Sequence, residues 1–221
     1  MSLFDSRFYD LNVHPESASS ITRLAFEAKR YGYSGIAVIN STIINKNLVL
    51  PDDFSIFRCI EISGRPSRIK EEIKKHKNNS DILIVLGGDE DINRAAVETG
   101  GLDILLQPAQ FNNVQAKTAS DNSIALGFNL GQLIRLRGDG RVRELKIMRK
   151  NLKHARKYDL YMVLTCNPHS HYDLRSPREM AALASLFGMR LKEAVNAMSA
   201  APLEILRRKS LDYVQEGIEI I

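Results

Sequence analysis

The chain has 221 residues, 44% hydrophobic and 26% charged, which suits one α/β domain with a full core and argues against long disorder. No apolar run approaches the roughly 20 residues of a membrane span, and the N-terminus lacks the basic and apolar regions of a signal peptide. The net charge of +5 is moderate, and two cysteines, Cys59 and Cys166, in or just after apolar runs predict buried thiols rather than a disulfide, as in a cytoplasmic protein.

The stretch Arg7–Pro15 predicts a first strand, with Phe8, Asp10, Asn12 and His14 alternating against Tyr9, Leu11 and Val13. Leu11 and Val13 are expected to face a helical layer, while the other side turns polar towards the strand's end. A helix follows from Ser17 to Gly32, with Ile21, Leu24, Ala25 and Ala28 at helical spacing. The apolar run from Gly35 to Asn40 predicts a strand covered on both faces. Asn45 to Asp53 reads as a loop, and Phe54 to Ser63 as a third strand carrying Glu61. Pro66 opens a helix with Ile69 and Ile73 inward. Further strands are expected at Asp81–Gly87, Leu102–Pro108, Ser123–Asn129 and Tyr161–Cys166. Helices are expected at Asp91–Thr99, Asn113–Asp121, Gly140–Tyr158, Ser176–Leu186, Leu191–Met198 and Pro202–Lys209.

Strands alternating with helices imply parallel βαβ units. Two architectures fit, an open doubly wound sheet and a barrel. No Gly-x-Gly-x-x-Gly follows the first strand. Polar residues instead stand at strand ends: His14, Asn40, Glu61, Asp89, Gln107, Asn129 and Asn167. A barrel would gather them on one face. The expectation is therefore an α/β fold: an irregular TIM-barrel-like (β/α) barrel of about seven to eight parallel strands, one domain over residues 1–221. An eighth strand is available only from the tail Gly217–Ile221.

Asp10, Asn12, His14, Glu61, His169 and His171 are the metal candidates. His169-x-His171 has zinc-ligand spacing but falls in a loop, and the neutral Asn12 is a poor zinc ligand. Cys166 reads as a packed core thiol despite the nearby His169. Neither Gly87-Gly88 nor Gly100-Gly101 is followed by Lys-Ser/Thr, so no phosphate loop is present.

Charge is concentrated in one segment. Residues 135–157 hold ten basic side chains against two acids, Asp139 and Glu144, a net of +8, so the remaining residues sum to −3 of the total +5. On a helix, Lys146, Lys150, Lys153 and Lys157 fall within about 60° of arc beside an inward stripe of Leu145, Met148 and Leu152. Such a row suits a phosphate backbone; a solvated face or a dock for an acidic protein is the alternative. Arg175 and Arg178 flank Ser176-Pro177 at one helix start, and Arg65 and Arg68 flank Pro66 at another. Cations there are expected to share the site with a bound anion.

Phe8-Tyr-Asp-Leu-Asn-Val-His14, Cys59-Ile-Glu-Ile62, Asp103-Ile-Leu-Leu106 and Asp173-Leu-Arg-Ser-Pro-Arg-Glu179, in that order and spacing, resemble the archaeal ribonuclease P protein component 3 family. That family is similar to the eukaryotic thirty-kilodalton ribonuclease P subunit and related in fold to the polymerase-and-histidinol-phosphatase metallohydrolases. The resemblance covers nearly the whole chain. It implies a cytoplasmic RNA-binding subunit of the enzyme that removes the 5′ leader from precursor tRNA. The RNA component would perform the magnesium-dependent cleavage, and the protein would bind no cofactor of its own. Implied partners are the ribonuclease P RNA, a small RRM-like subunit, the other protein subunits and precursor tRNA. His14 matches the second histidine of the hydrolases' His-x-His and Glu61 their glutamate, whereas Asn12 replaces the first histidine. A remnant site is thus implied, with no catalytic residue and no metal expected at His14, Glu61, His169 or His171. An active phosphoesterase is the alternative. From charge, the expected RNA contacts are Lys146, Lys150, Lys153, Lys157, Arg175, Arg178, Arg65 and Arg68.

Overall fold

The structure, a computed structural model, describes residues 6–39, 48–209, 213–215 and 218–219. Seven parallel strands pair in chain order: β1 (Phe8–Val13), β2 (Tyr33–Ile39), β3 (Ser55–Ile62), β4 (Ile82–Leu86), β5 (Ile104–Leu106), β6 (Ala125–Asn129) and β7 (Met162–Thr165). They curl into a nearly closed barrel, with β7 returning beside β1. Alternation along each strand sorts the side chains into two cores. Tyr9, Leu11, Ala37, Cys59, Ile84, Ile104 and Val163 fill the barrel. Val13, Val38, Leu83, Val85, Leu105, Leu126 and Leu164 pack with the helices in the outer core.

One expected orientation fails. Leu11 lies inside the barrel, not under the helices. Asp10 pairs with Ile36 and Val13 with Val38, so three steps on β1 match two on β2. This bulge keeps Leu11 inside and returns Val13 to the helical layer.

The helices are α1 (Ala18–Arg30), α2 (Pro66–His76), α3 (Glu90–Val97), α4 (Asn113–Asp121), α5 (Leu130–Arg135), α6 (Gly138–Lys157), α7 (Pro177–Ser185), α8 (Leu191–Met198) and α9 (Ala200–Arg207). Ser17 closes a capping box on α1 with Ser20, and Pro66 opens α2 over buried Ile69 and Ile73. The unforeseen helix is α5. Its six residues are too few for a periodic signal, and Gly131 within it reads as a breaker. That glycine has a packing reason: a Cβ there would collide with the Cys166 carbonyl oxygen. The expected loop before β3 holds for residues 48–53; Asn45 lies outside the described residues, as does Asn40.

The tail does not supply an eighth barrel strand. Ile218–Glu219 forms β9, which pairs antiparallel with β8 (Tyr213–Gln215) in a separate two-stranded sheet, while Gly217, Ile220 and Ile221 lie outside the described residues.

No backbone ladder joins β1 to β7 among the described residues. Asp10, fully buried, bridges them instead. Its carboxylate accepts from the Thr165 hydroxyl at 2.5 Å, from the Cys166 backbone N–H and thiol at 3.1 Å each, and from the Asn12 N–H at 3.1 Å. One residue beyond the strand, His14 N–H donates to the Pro168 carbonyl at 2.9 Å. At the opposite end α9 covers the barrel floor. Ile205 enters the inner core, Arg208 lies 4.8 Å over the Tyr161 ring, and Lys209 pairs with Asp103 at 3.0 Å. No helix among the described residues is long and apolar enough to cross a membrane.

Candidate functional site

The polar strand ends separate into three groups. Asp89 caps α3, accepting from Ile92 N–H at 2.9 Å. Asn129 caps α5 in the same way, through Gln132 N–H at 3.2 Å. These are local structural roles. Asn12, His14, Glu61 and Asn167 form the second group at the mouth above β1, β3 and β7, and Gln107 belongs to the third.

At the mouth, neutral amides link opposite charges. Asn12 Nδ2 donates to Glu61 Oε2 at 2.7 Å, and Asn12 Oδ1 accepts from Asn167 Nδ2. Asn167 Oδ1 in turn accepts from Arg135 Nη2 at 3.1 Å. The chain of bonds thus runs from a carboxylate to a guanidinium through two asparagines. His14 Nε2 lies 3.5 Å from Glu61 Oε2 and 2.9 Å from Asn167 Nδ2. Its ring stacks on His169, with centroids 4.5 Å apart. Burial works to raise the Glu61 pKa, but the hydrogen bonds of His14 and Asn12 and the charges of His14 and His169 outweigh it, and the net shift is downward. Burial first, then His14 and Arg135, lower His169.

His169 and His171 do not converge. His171 turns to the Tyr172 ring at 3.9 Å, and Asp173 ties the loop through the N–H groups of His169 and Ser170. Among the described residues no group of three or more His, Cys, Asp or Glu side chains is placed to hold a metal ion. Glu61 lies directly beside His14, and the neighbouring Asn12 amide is already bonded at both its ends. Cys166 is a packed thiol, as expected, its pKa pushed well up by burial and by Asp10.

The third group lines a cleft above β4, β5 and β6. Gln107 follows β5 with φ of 50°, a left-handed conformation rare outside glycine. Its side chain donates to Glu144 Oε1 at 2.5 Å and accepts from Asn129 N–H at 3.1 Å. Glu144 comes from α6, is only 7% exposed, and has its pKa raised by burial.

The basic helix α6 divides along its length. Arg149 donates to the Leu186 carbonyl, and Arg156 pairs with Glu193 at 2.7 Å and donates to the Gly188 carbonyl. These arginines fasten α6 to the end of α7 and the start of α8. Lys146, Lys150 and Lys153 are exposed, and none of the described ion pairs or hydrogen bonds engages them. Lys157 donates to Asn113 Oδ1 at 3.0 Å, beside the Tyr158 ring. The other expected cations lie apart from this row. Arg65 and Arg68 are exposed at the start of α2, and α3 and α4 stand between α2 and α6. Arg175 donates to the Tyr172 and Leu174 carbonyls. Arg178 is exposed near Phe8 and Gly32, at the barrel's other end. The α7 start carries its own anion: Glu179 accepts from Ser176 N–H at 2.8 Å.

Comparison with known proteins decides the family. The family model described as RNase P subunit p30 matches residues 7–213. The chain belongs to the RNase P p30 family. Relatives of this p30 chain include the ribonuclease P protein component 3 of Methanococcoides burtonii, 42% identical over 96% of this chain and 93% of that one. The Methanosarcina mazei component 3 is 40% identical over 97% and 95% of the two chains. Among solved structures, a chain from a cryo-EM structure of archaeal ribonuclease P with mature tRNA superposes with a TM-score of 0.77 at 23% identity, covering 96% of this chain and 97% of that one. The p30 fold also resembles Aspergillus niger ochratoxinase, with a TM-score of 0.65 at 13% identity over 97% of this chain and 75% of that one. Both structural likenesses concern the fold.

Proposed function

We propose that this protein subunit of ribonuclease P binds RNA through the lysine row of α6 and supports 5′ leader removal from precursor tRNA without catalysing it. The observation that carries the reading is the run Lys146, Lys150 and Lys153, exposed and without acidic partners among the described residues, on a chain whose family is that of a ribonucleoprotein enzyme. Lys157 extends the row. An unneutralised row of lysines at helical spacing follows a line of phosphates, and binding then gains from release of their counterions. Of the arginines on the same helix, Arg141, Arg149 and Arg156 are held by protein groups, while Arg143 is exposed like the lysines. Arg65, Arg68 and Arg178 would contact separate parts of an RNA, and Arg175 would use the guanidinium donors left over from its carbonyl bonds. In this reading the cleavage chemistry and its magnesium belong to the RNA. The other partners are the remaining protein subunits, among them a small RRM-like one, with precursor tRNA as the substrate of the assembled enzyme. The relative solved with mature tRNA supports this reading.

The test is binding of ribonuclease P RNA to the full chain across a salt series. Replacing Lys146, Lys150, Lys153 and Lys157 together by alanine should flatten the log–log salt slope by about 3, since each phosphate no longer neutralised removes roughly 0.7–0.9. A folded variant with an unchanged slope would remove the lysine row from the interface. Cleavage reconstituted with and without the chain at several magnesium concentrations tests the supporting role. The chain alone should leave precursor tRNA intact.

A further inference from the structure

The lining of the cleft above β4–β6 includes none of the row's lysines, and Glu144 within it is an anomaly. It is one of only two acids in a segment with ten bases, and the fold turns it inward instead of pairing it with them. The cleft encloses about 290 Å³, near the lower end for small-ligand sites. Leu86, Gly87, Leu106 and Ile147 supply apolar walls, and Gln107 and Glu144 supply the polar end. The frame is stiff. A Cβ on Gly87 would meet Pro108 Cα at 2.5 Å, the Pro108 carbonyl accepts from Asn151 Nδ2 at 2.8 Å, and Gly88 O accepts from the N–H groups of Ala109 and Gln110. Gln107 keeps its left-handed backbone while using both ends of its amide to hold Glu144 Oε1 and Asn129 N–H. A strained residue fixing a buried carboxylate in an open cleft is the pattern of a binding site.

We propose that this cleft receives one unstacked RNA base, with Glu144 accepting the two adjacent N–H donors of a guanine. A carboxylate offers acceptors only. Guanine presents N1–H and N2–H side by side, whereas uracil, cytosine and adenine set an acceptor beside their donor. The surroundings separate a base from a cationic side chain of a protein partner. Arg143 and Lys146 are exposed at positions flanking Glu144 and Ile147, so the rim attracts phosphates and repels lysine and arginine. Apolar walls with a hydrogen-bonding end suit a splayed base in single-stranded RNA. The inference rests on the RNA-binding reading above and names the base class taken by that surface.

The experiment measures binding of the full chain to labelled U9 RNA and to the same oligomer with a central G, A, C or inosine, at fixed salt. The guanine oligomer should bind about tenfold more tightly than U9, the scale of one bidentate base contact. Inosine, without the N2 amino group, should lose most of that gain. Glu144→Gln should bring the guanine oligomer down to U9, and Gln107→Ala, which frees the carboxylate from its holder, should do the same should the first variant fold poorly. Equal binding of all five oligomers overturns the base slot while leaving general RNA binding intact, and so does a guanine preference that persists in folded Glu144→Gln. Binding of none, with an unchanged salt slope in the lysine variant, overturns both.

Discussion

Replacing Asp10 by alanine tests how the barrel is closed. The substitution removes the side chain that joins β1 to β7 and deprives four donors of a partner, the Cys166 thiol being the weakest of them. The Thr165 hydroxyl can turn to the Asn12 carbonyl, 3.4 Å away, and so suffers least. The Cys166 and Asn12 N–H groups have no such alternative, and each buried donor left unsatisfied costs about 1–3 kcal/mol. Together they give roughly 2–6 kcal/mol. Part of that is offset, because the wild-type carboxylate is itself desolvated: burial raises its pKa despite four hydrogen bonds that lower it. The expected loss is therefore about 3 kcal/mol, read as a shift in urea midpoint at constant slope. Thr165→Val should cost about 2 kcal/mol alone, because it also strands the buried Asn167 N–H that the hydroxyl accepts at 2.8 Å, and about 1 kcal/mol less in the Asp10→Ala background, where the shared bond is already gone. Native-state hydrogen exchange should show the largest loss of protection at His14 and Cys166, with β4 least affected. A folded variant within about 0.5 kcal/mol of wild type would refute the reasoning. So would a loss spread evenly over all strands.

Gly131→Ala forces a Cβ against the Cys166 backbone, which cannot yield as a side chain can, and should cost about 3 kcal/mol in a denaturant titration. Glu193→Ala breaks an ion pair whose arginine is 37% exposed, so thermal unfolding should report less than about 1 kcal/mol. Phe187→Ala, which empties the buried ring stacked 5.3 Å from Phe128, should cost about 3–5 kcal/mol in the same assay. His169 and His154 both have pKa values lowered from 6.5, so the unfolded chain takes up their protons first. Stability should hold above that value and fall as pH drops through it towards their folded pKa values, as urea midpoints across about pH 5 to 8 can check. The lowered Glu61 acts further down, its stabilisation present above 4.5 and lost as pH falls through its folded pKa.

The barrel was legible because strands buried on both faces read as short continuous apolar runs, set off by polar residues and glycines. Ile82–Leu86, wholly apolar between Asp81 and Gly87, is the clearest case. What the pattern could not show was the bulge in β1. A slip of one residue reverses the facing of every residue beyond it, and nothing in Asp10-Leu-Asn-Val announces where it falls. The missed α5 is of the same kind: six residues held by an Asn129 cap and a close approach to Cys166 obey tertiary packing, not local propensity. For the site, single residues were readable and their partners were not. Glu61, His14 and Asn167 stood out as polar strand ends, while Arg135 entered only as one more positive charge. Glu144 left a signal that went unused. It falls in helical register with the buried Met148, Asn151, Leu152 and Ala155, so its inward direction was already implied by the spacing.

Asn12 shows why residue type alone misleads here. Compared with a histidine, it reads as a lost ligand. In the folded chain its amide does what an imidazole on one strand end cannot do for the same two neighbours: it donates to the Glu61 carboxylate and accepts from the Asn167 amide at once. A neutral imidazole also has one donor and one acceptor, but they point to opposite sides of a rigid ring. The planar amide sets them side by side, towards two groups that lie next to each other across the mouth. The arrangement links Glu61 to Arg135 through neutral groups and leaves no carboxylate lone among histidines. Polar residues at the mouth are thus used up in joining β1, β3, β7 and α5, the same junction that Asp10 holds from below. Asn12 thus serves to hold the barrel together, while the exposed lysines Lys146, Lys150 and Lys153 lie outward on α6.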